Sequence, residues 1–179
     1  MRPALLAFAT LALGTSLPAE VPPATEESPA RPVLLGKTTA TEILAHRAIF
    51  RENLSKQAVG APLRARWRAV RRPLTLVAVF GSWCGDSHYQ LPGLLVLEET
   101  PNPFIEVHYL GVAKDKALKP SLWPEGCPPQ PLEKVPTFYL FATQPGGGQA
   151  LVGTVVENPP RKGQTMAEAL VELAERAAR

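Results

Sequence analysis

Residues 74–80 read Leu-Thr-Leu-Val-Ala-Val-Phe, a run with no charge, no proline and no glycine. A strand of that composition has no polar face to offer water, so it must be covered on both sides. Cover on both faces of a strand is the mark of an α/β layer arrangement, and the rest of the chain is read around this central strand. Downstream, a helix is predicted from Ser87 to about Glu99, with Leu91, Leu94 and Leu95 inward and a kink or fresh start at Pro92. Phe104 to Val112 then reads as a second strand, closing a right-handed βαβ unit.

The segment from Lys114 to Lys134 carries Pro120, Pro124, Pro128, Pro129 and Pro131, so loop or short turns are expected there. Thr137–Ala142 and Gln149–Val156 read as strands joined across Gly146-Gly147-Gly148, a connection suited to an antiparallel hairpin. A capping-box pattern, Thr165 to Glu168, opens the last helix, which buries Met166, Leu170, Leu173 and Ala177 at helical spacing. Upstream, a similar pattern at Thr39-Ala40-Thr41-Glu42 opens a helix to about Val59, with Ile43, Phe50 and Leu54 on one face and Gly60 ending it. A short helix from about Pro62 to Arg71 follows and stops before Pro73. The element order predicts a four-stranded mixed sheet with helices packed on it, and no internal repeat is present.

The N-terminus has a different composition. Arg2 precedes the apolar run Ala4 to Gly14 and then Ser16-Leu17-Pro18-Ala19, the three zones of a secretory signal, with cleavage expected after Ala19. The run falls short of the ~20 residues a membrane span requires, and the only cysteines, Cys84 and Cys127, lie elsewhere, so no lipid-anchoring cysteine is expected. Glu20 to Pro32 is rich in proline and acid and poor in large apolar residues, which predicts a flexible spacer. The expected divisions are a signal peptide at 1–19, a spacer at 20–33, an N-terminal helical extension at 34–72 and a sheet domain at 73–179. An exported protein, periplasmic, cell-surface or secreted, is expected, with no stable membrane span once the signal is removed.

The chain has 179 residues, 45% of them hydrophobic and 20% charged, enough for one globular domain. Its net charge of +3 is spread out, apart from Arg64, Arg66, Arg68, Arg71 and Arg72 beside Trp67. Alternating charge on a short helix reads as a solvated face, so no nucleic-acid partner is expected, and the chain is expected to be a monomer.

Chemistry concentrates where the central strand ends, at Trp83-Cys84-Gly85-Asp86-Ser87. A cysteine after a strand and at the first turn of a helix faces unpaired backbone N–H groups, which favour the thiolate and make it a nucleophile. The alternative is a small buried hydrophobe. Asp86 suits a helix N-terminus yet opposes a neighbouring negative charge. His88, four residues after Cys84, either lends a positive charge or faces solvent. Metal is not expected, because the other ligand types, Cys127, His46 and His108, are scattered. No cofactor is expected either.

These residues carry a family resemblance. Trp83-Cys84-Gly85-Asp86-Ser87, after an apolar strand and before a helix containing Pro92, resembles the Trp-Cys-Gly-x-Cys site of the thioredoxin superfamily. Val135-Pro136-Thr137 is similar to that superfamily's cis-proline loop, and "LVGTVVENPPRKGQTMAEALVEL" is similar to the last strand and helix of a bacterial thioredoxin-like group with a Trp-Cys-Gly-Asp-Ser motif. The resemblance covers residues 73 to the C-terminus and implies a thioredoxin-like fold for that domain. It implies that Pro136 is cis and faces Cys84, that Trp83, Gly85, Asp86, Val135 and Pro136 line the substrate site, and that Cys84 and Ser87 stand at the catalytic positions.

This chain departs from the family pattern in ways that bear on mechanism. A dithiol enzyme releases its product when a second cysteine attacks the mixed disulfide, and Ser87 cannot do so. Its hydroxyl either donates to the Cys84 sulfur or caps the helix. Ala78 occupies the position of a buried acid in the similar thioredoxins, and Tyr109 that of its lysine partner. Cys127 is the candidate redox partner, or a plain free thiol, and sequence leaves both open. The expected function is monothiol thiol-disulfide exchange with protein or small-molecule thiols and disulfides. The alternative is a redox-inactive peptide- or protein-binding module on the same fold.

Overall fold

The computed structural model describes residues 32–179, so the signal and nearly all of the spacer expected above lie outside the described residues. Residues 32–179 form one compact unit. The elements are β1 (Gly36–Thr38), α1 (Ala40–His46), α2 (Ala48–Leu54), α3 (Ala61–Ala69), β2 (Leu74–Phe80), α4 (Gly85–Glu98), β3 (Ile105–Gly111), β4 (Thr137–Thr143), β5 (Gln149–Val156) and α5 (Met166–Ala177). The strands form one mixed sheet in the order β1-β3-β2-β4-β5. Only β2 and β3 run parallel, with Leu76 opposite Val107 and Ala78 opposite Tyr109.

The sheet has five strands, not four. The missed strand, β1, is three residues long and lies antiparallel on the edge of β3, Gly36 opposite Gly111. Its place comes from the backbone edge that β3 presents, and three residues are too few for alternation to be read.

The predicted helix from Thr39 to Val59 is two helices, broken at Arg47, which is extended at φ −137° and ψ 133°, and the second stops at Leu54, so that Gly60 caps the start of α3 rather than ending this helix. Neither glycine nor proline marks this break in the sequence. Both capping boxes are present, Thr39 with Glu42 and Thr165 with Glu168.

Pro92 does not restart its helix, since α4 runs on through it. A proline within a helix leaves the carbonyl four residues earlier without its amide donor. That carbonyl belongs to His88, and the side chain of Asn53 in α2 donates to it at 2.9 Å. The replacement donor arrives from a segment 35 residues away in sequence, so nothing near Pro92 announces it.

The five helices pack on one face of the sheet, where Ile43, Phe50, Trp67, Leu76, Phe80, Leu94, Phe138 and Leu170 share a core. The other face, with Val77, Val79, Leu110, Tyr139 and Phe141, is covered by the proline-rich segment between β3 and β4. Trp123 supplies much of that cover, its ring edge-on to Tyr139 at 5.3 Å and Phe141 at 6.1 Å. Burying such a ring stabilises the fold by about 1.5–3 kcal/mol, so a loop can do a helix's work here.

The arginines beside Trp67 are not simply a solvated face. Arg64 donates to the Val96 carbonyl and Thr100 near the end of α4, Arg72 donates to the Ala177 carbonyl ending α5, and Arg66 grips Glu175 with two bonds. Positive charge at helix C-termini is favourable, and these contacts fasten α3 to both neighbours.

Candidate functional site

Strand β2 ends at Phe80, and the chain turns through Gly81-Ser82-Trp83-Cys84 into α4. Most polar groups of that turn have a partner. The Cys84 amide donates to the Gly81 carbonyl at 2.9 Å, and the Gly81 amide donates to the buried Ser87 hydroxyl at 3.2 Å. The Trp83 indole donates to the Val112 carbonyl at 2.9 Å, which lays its ring over Gly81. A side chain at position 81 would meet that ring at 2.7 Å, which accounts for the glycine.

Cys84 is the N-cap of α4, half-buried, and no side chain caps the helix start. Its sulfur donates to the Val135 carbonyl at 3.2 Å. The Val135–Pro136 peptide bond is cis, and Pro136 passes its own carbonyl to the Glu157 amide at 2.7 Å. Two loops far apart in sequence therefore meet at one sulfur. Gly85 and Asp86 are exposed beside it.

Ser87 is fully buried, and the bond it makes is to Gly81 rather than to Cys84 or to the helix cap. His88 is half-buried, with its ring turned to neighbouring groups rather than wholly to solvent. Its Nε2 bonds the Ser82 carbonyl at 2.9 Å, and its ring stands edge-on to Phe50 at 5.1 Å. Ser82, which sequence reasoning missed, is fully buried, and its hydroxyl accepts from the Leu34 amide at 3.0 Å.

Cys127 is not a partner for Cys84. Both thiols are free. Cys127 lies beside Thr75, at the start of β2, whereas Cys84 follows the end of that strand. From Thr75 to Phe80 alone the strand advances about 17 Å, beyond any disulfide. Burial first, then the nearby Glu106 carboxylate, pushes the Cys127 thiol up to about 11, against a weaker opposing pull from Thr75.

Ala78 is fully buried and brings no acid beneath the turn. Tyr109, opposite it, gives its hydroxyl to Glu98, the last residue of α4. Burial raises Glu98, with the tyrosine bond opposing, and burial raises Tyr109 well above its usual range, with Glu98 adding to it. This acid pair sits at the opposite end of α4 from Cys84. Among the described residues no group of three or more His, Cys, Asp or Glu is placed to hold a metal ion, and no helix is long and apolar enough to cross a membrane.

The fold and turn define an α/β protein with a single half-buried cysteine at a strand-to-helix junction, facing a cis-proline loop. No protein-family model and no curated protein matches the chain. Among solved structures it is similar to a protein of unknown function, PA1234, from Pseudomonas aeruginosa, at 21% identity over 80% of this chain and 94% of that one, with a TM-score of 0.54. An HIV epitope-scaffold also matches, at 20% identity over 80% of this chain and 90% of that one, with a TM-score of 0.49. The likeness to the Pseudomonas protein shows a shared α/β fold.

Proposed function

We propose that this chain is an exported protein of thioredoxin-like fold that carries out monothiol thiol-disulfide exchange through Cys84. The observation that carries this reading is the sulfur itself, at the uncapped start of a helix and 3.2 Å from the carbonyl preceding a cis-proline. The thiolate attacks one sulfur of a protein or small-molecule disulfide, forming a mixed disulfide with Cys84 and expelling the other sulfur as a thiolate. An outside thiol, ionised, then attacks the substrate sulfur and expels the Cys84 thiolate. Each turnover exchanges one disulfide for another and leaves the protein unchanged. Because Cys127 is remote and Ser87 is no thiol, release depends on that outside thiol. Trp83 and the Val135–Pro136 backbone form the surface on which the disulfide is held.

Export rests on the leader at 1–19, with cleavage after Ala19. Amino-terminal sequencing of the protein made in a bacterial host tests it, and an intact Met1 in a washed cell fraction would oppose it.

A redox-inactive binding module is the second reading. It is favoured by the bond from the Cys84 thiol to Val135, which an incoming disulfide must displace. One experiment separates the two. The protein is incubated with a peptide disulfide, quenched with acid and weighed by mass spectrometry, with and without added glutathione. A Cys84 adduct that glutathione resolves supports exchange, an adduct that persists supports a trap, and peptide binding without any adduct supports the module.

A further inference from the structure

Thiol chemistry at Cys84 leaves one conspicuous group without a role, the imidazole of His88. Three bonds converge on this residue. Its amide donates to the Cys84 carbonyl at 3.0 Å, its Nε2 bonds the Ser82 carbonyl at 2.9 Å, and its own carbonyl accepts from Asn53 at 2.9 Å. Its ring is also held edge-on by Phe50. Phe50 and Asn53 are buried residues of α2, three apart and therefore on one helix face.

A carbonyl oxygen can only accept, so Nε2 must carry the proton in this bond. That N–H is present in one neutral tautomer and in the cation, so the bond does not require a charged ring. What the bond satisfies is the backbone of fully buried Ser82, whose hydroxyl is already taken by Leu34. Without the imidazole donor that carbonyl would be left to find another partner, and the turn that carries Trp83 and Cys84 would move with it.

We infer that His88 is a positioning residue for Cys84, acting through the Ser82 carbonyl, and that helix α2 is part of the site because it seats this imidazole. The inference deepens the exchange reading and rests on it for its kinetic test. It also joins two oddities of the chain. Pro92 frees the His88 carbonyl, and Asn53 uses that carbonyl to fasten α2 to the second turn of α4.

The test compares His88→Phe, which keeps an aromatic ring but no donor, with His88→Gln, whose amide can still reach Ser82, in the full chain. Two rates are read at Cys84, exchange with a peptide disulfide and alkylation by iodoacetamide. Exchange requires the sulfur to be aimed across Val135, while alkylation requires only an accessible thiolate. His88→Phe is expected to slow exchange about tenfold or more and His88→Gln to stay within about twofold of wild type, with alkylation and its pH profile alike in all three. Asn53→Ala is expected to move exchange in the same direction by less. Equal exchange in wild type and His88→Phe would overturn the inference. So would a pH profile of alkylation that shifts when the imidazole is lost, since that would make the ring's charge its contribution. If His88→Phe does not fold, His88→Ala replaces it in the same comparison.

Two readouts need no activity. The imidazole nitrogen shifts are expected to report the Nε2–H tautomer, and hydrogen exchange at the Cys84 amide, bonded to Gly81, is expected to speed up in His88→Phe but not in His88→Gln. A wild-type protein that forms no adduct would defeat the exchange reading alone. The opposite tautomer, or an unchanged Cys84 amide, would defeat the positioning role.

Discussion

The two ends of strand β2 hold the molecule's two thiols, and they are opposites. At the far end Cys84 is half-buried at a helix start, with its sulfur turned to a backbone carbonyl from another loop. At the near end Cys127 is 6% exposed under the proline-rich segment, against Thr75 and Glu106, and its thiol is pushed up to about 11. The same side chain is set up for contact with solvent in one place and sealed as a small apolar group in the other. What separates them is where the sheet ends. Beyond the last residue of β2 no neighbouring strand covers the chain, whereas Thr75 lies between paired residues of β3 and β4.

The largest expected effect tests this contrast directly. In the native protein at pH 8, iodoacetamide is expected to label Cys84 while Cys127 reacts only through opening of the structure. Protection of Cys127 relative to an unfolded peptide is expected to reach at least about a thousandfold, as for a group exposed only by cooperative unfolding. Cys84→Ser is expected to remove native labelling altogether, and Cys127→Ser to leave it unchanged. Comparable native labelling of both cysteines would break the comparison.

Next in size is a disturbance confined to the Cys84 end. Gly111, at the end of β3, has no room for a side chain, because a Cβ there would overlap the Leu34 carbonyl. Gly111→Ala must push away the backbone whose Leu34 amide holds Ser82. A cost of about 3 kcal/mol is expected, the upper range for overpacking, with Cys84 labelling faster and Cys127 still protected. Chemical denaturation and residue-resolved labelling measure the two, and a loss of protection at Cys127 alone would contradict the expected localisation.

Sequence carried some parts of this arrangement well and others not at all, for physical reasons. The apolar run Leu74–Phe80, the two capping boxes and the hairpin across Gly146–Gly148 are local patterns, and each is present. Strand β1, the unbroken helix through Pro92 and the burial of Cys127 are all set by partners distant in the chain. At the site, the position of Cys84 at a strand-to-helix turn was legible. That Val135 would come to its sulfur was implied only by resemblance. The supports Ser82, Leu34 and Val112 left no trace, because three of the turn's bonds use a backbone amide or carbonyl that residue type does not reveal, and Asn53 left none because it reaches His88 from 35 residues away.

A smaller effect belongs to the Cys127 end and appears at high pH. Its folded value of about 11 lies above the ordinary 9.0, so the folded state favours the protonated thiol. Below pH 9 the thiol is protonated whether folded or unfolded, and the contribution is fully present. As pH rises from 9 towards 11 the unfolded chain gives up this proton first, so stability falls. Between pH 8 and pH 11 the thiol is expected to account for about 2 kcal/mol of lost stability. Buried Tyr109, raised in the same direction, contributes to wild type and variant alike, so the difference between wild type and Cys127→Ala isolates the cysteine. Parallel stability curves for the two proteins would show that the burial of Cys127 is not coupled to folding.

The smallest stability change concerns the thiol that Cys127 fails to provide. Ser87 lies one helical turn from Cys84, fully buried, and accepts the Gly81 amide. Ser87→Cys exchanges that oxygen for a sulfur, a much weaker acceptor, and is expected to cost about 1 kcal/mol in the reduced protein. It also sets a second sulfur three residues from the first, a spacing that places their Cα atoms within disulfide reach. Under the exchange reading, the variant resolves its own mixed disulfide and reduces a peptide disulfide in a single turnover without glutathione. Each such event joins the sulfur of Cys84 to the introduced sulfur in a disulfide and leaves both halves of the substrate as thiols. Wild type, given the same substrate, is expected to stop at the adduct. If the variant also stops there, absence of a nearby thiol is not what limits release, and the bond between Cys84 and Val135 becomes the step to examine.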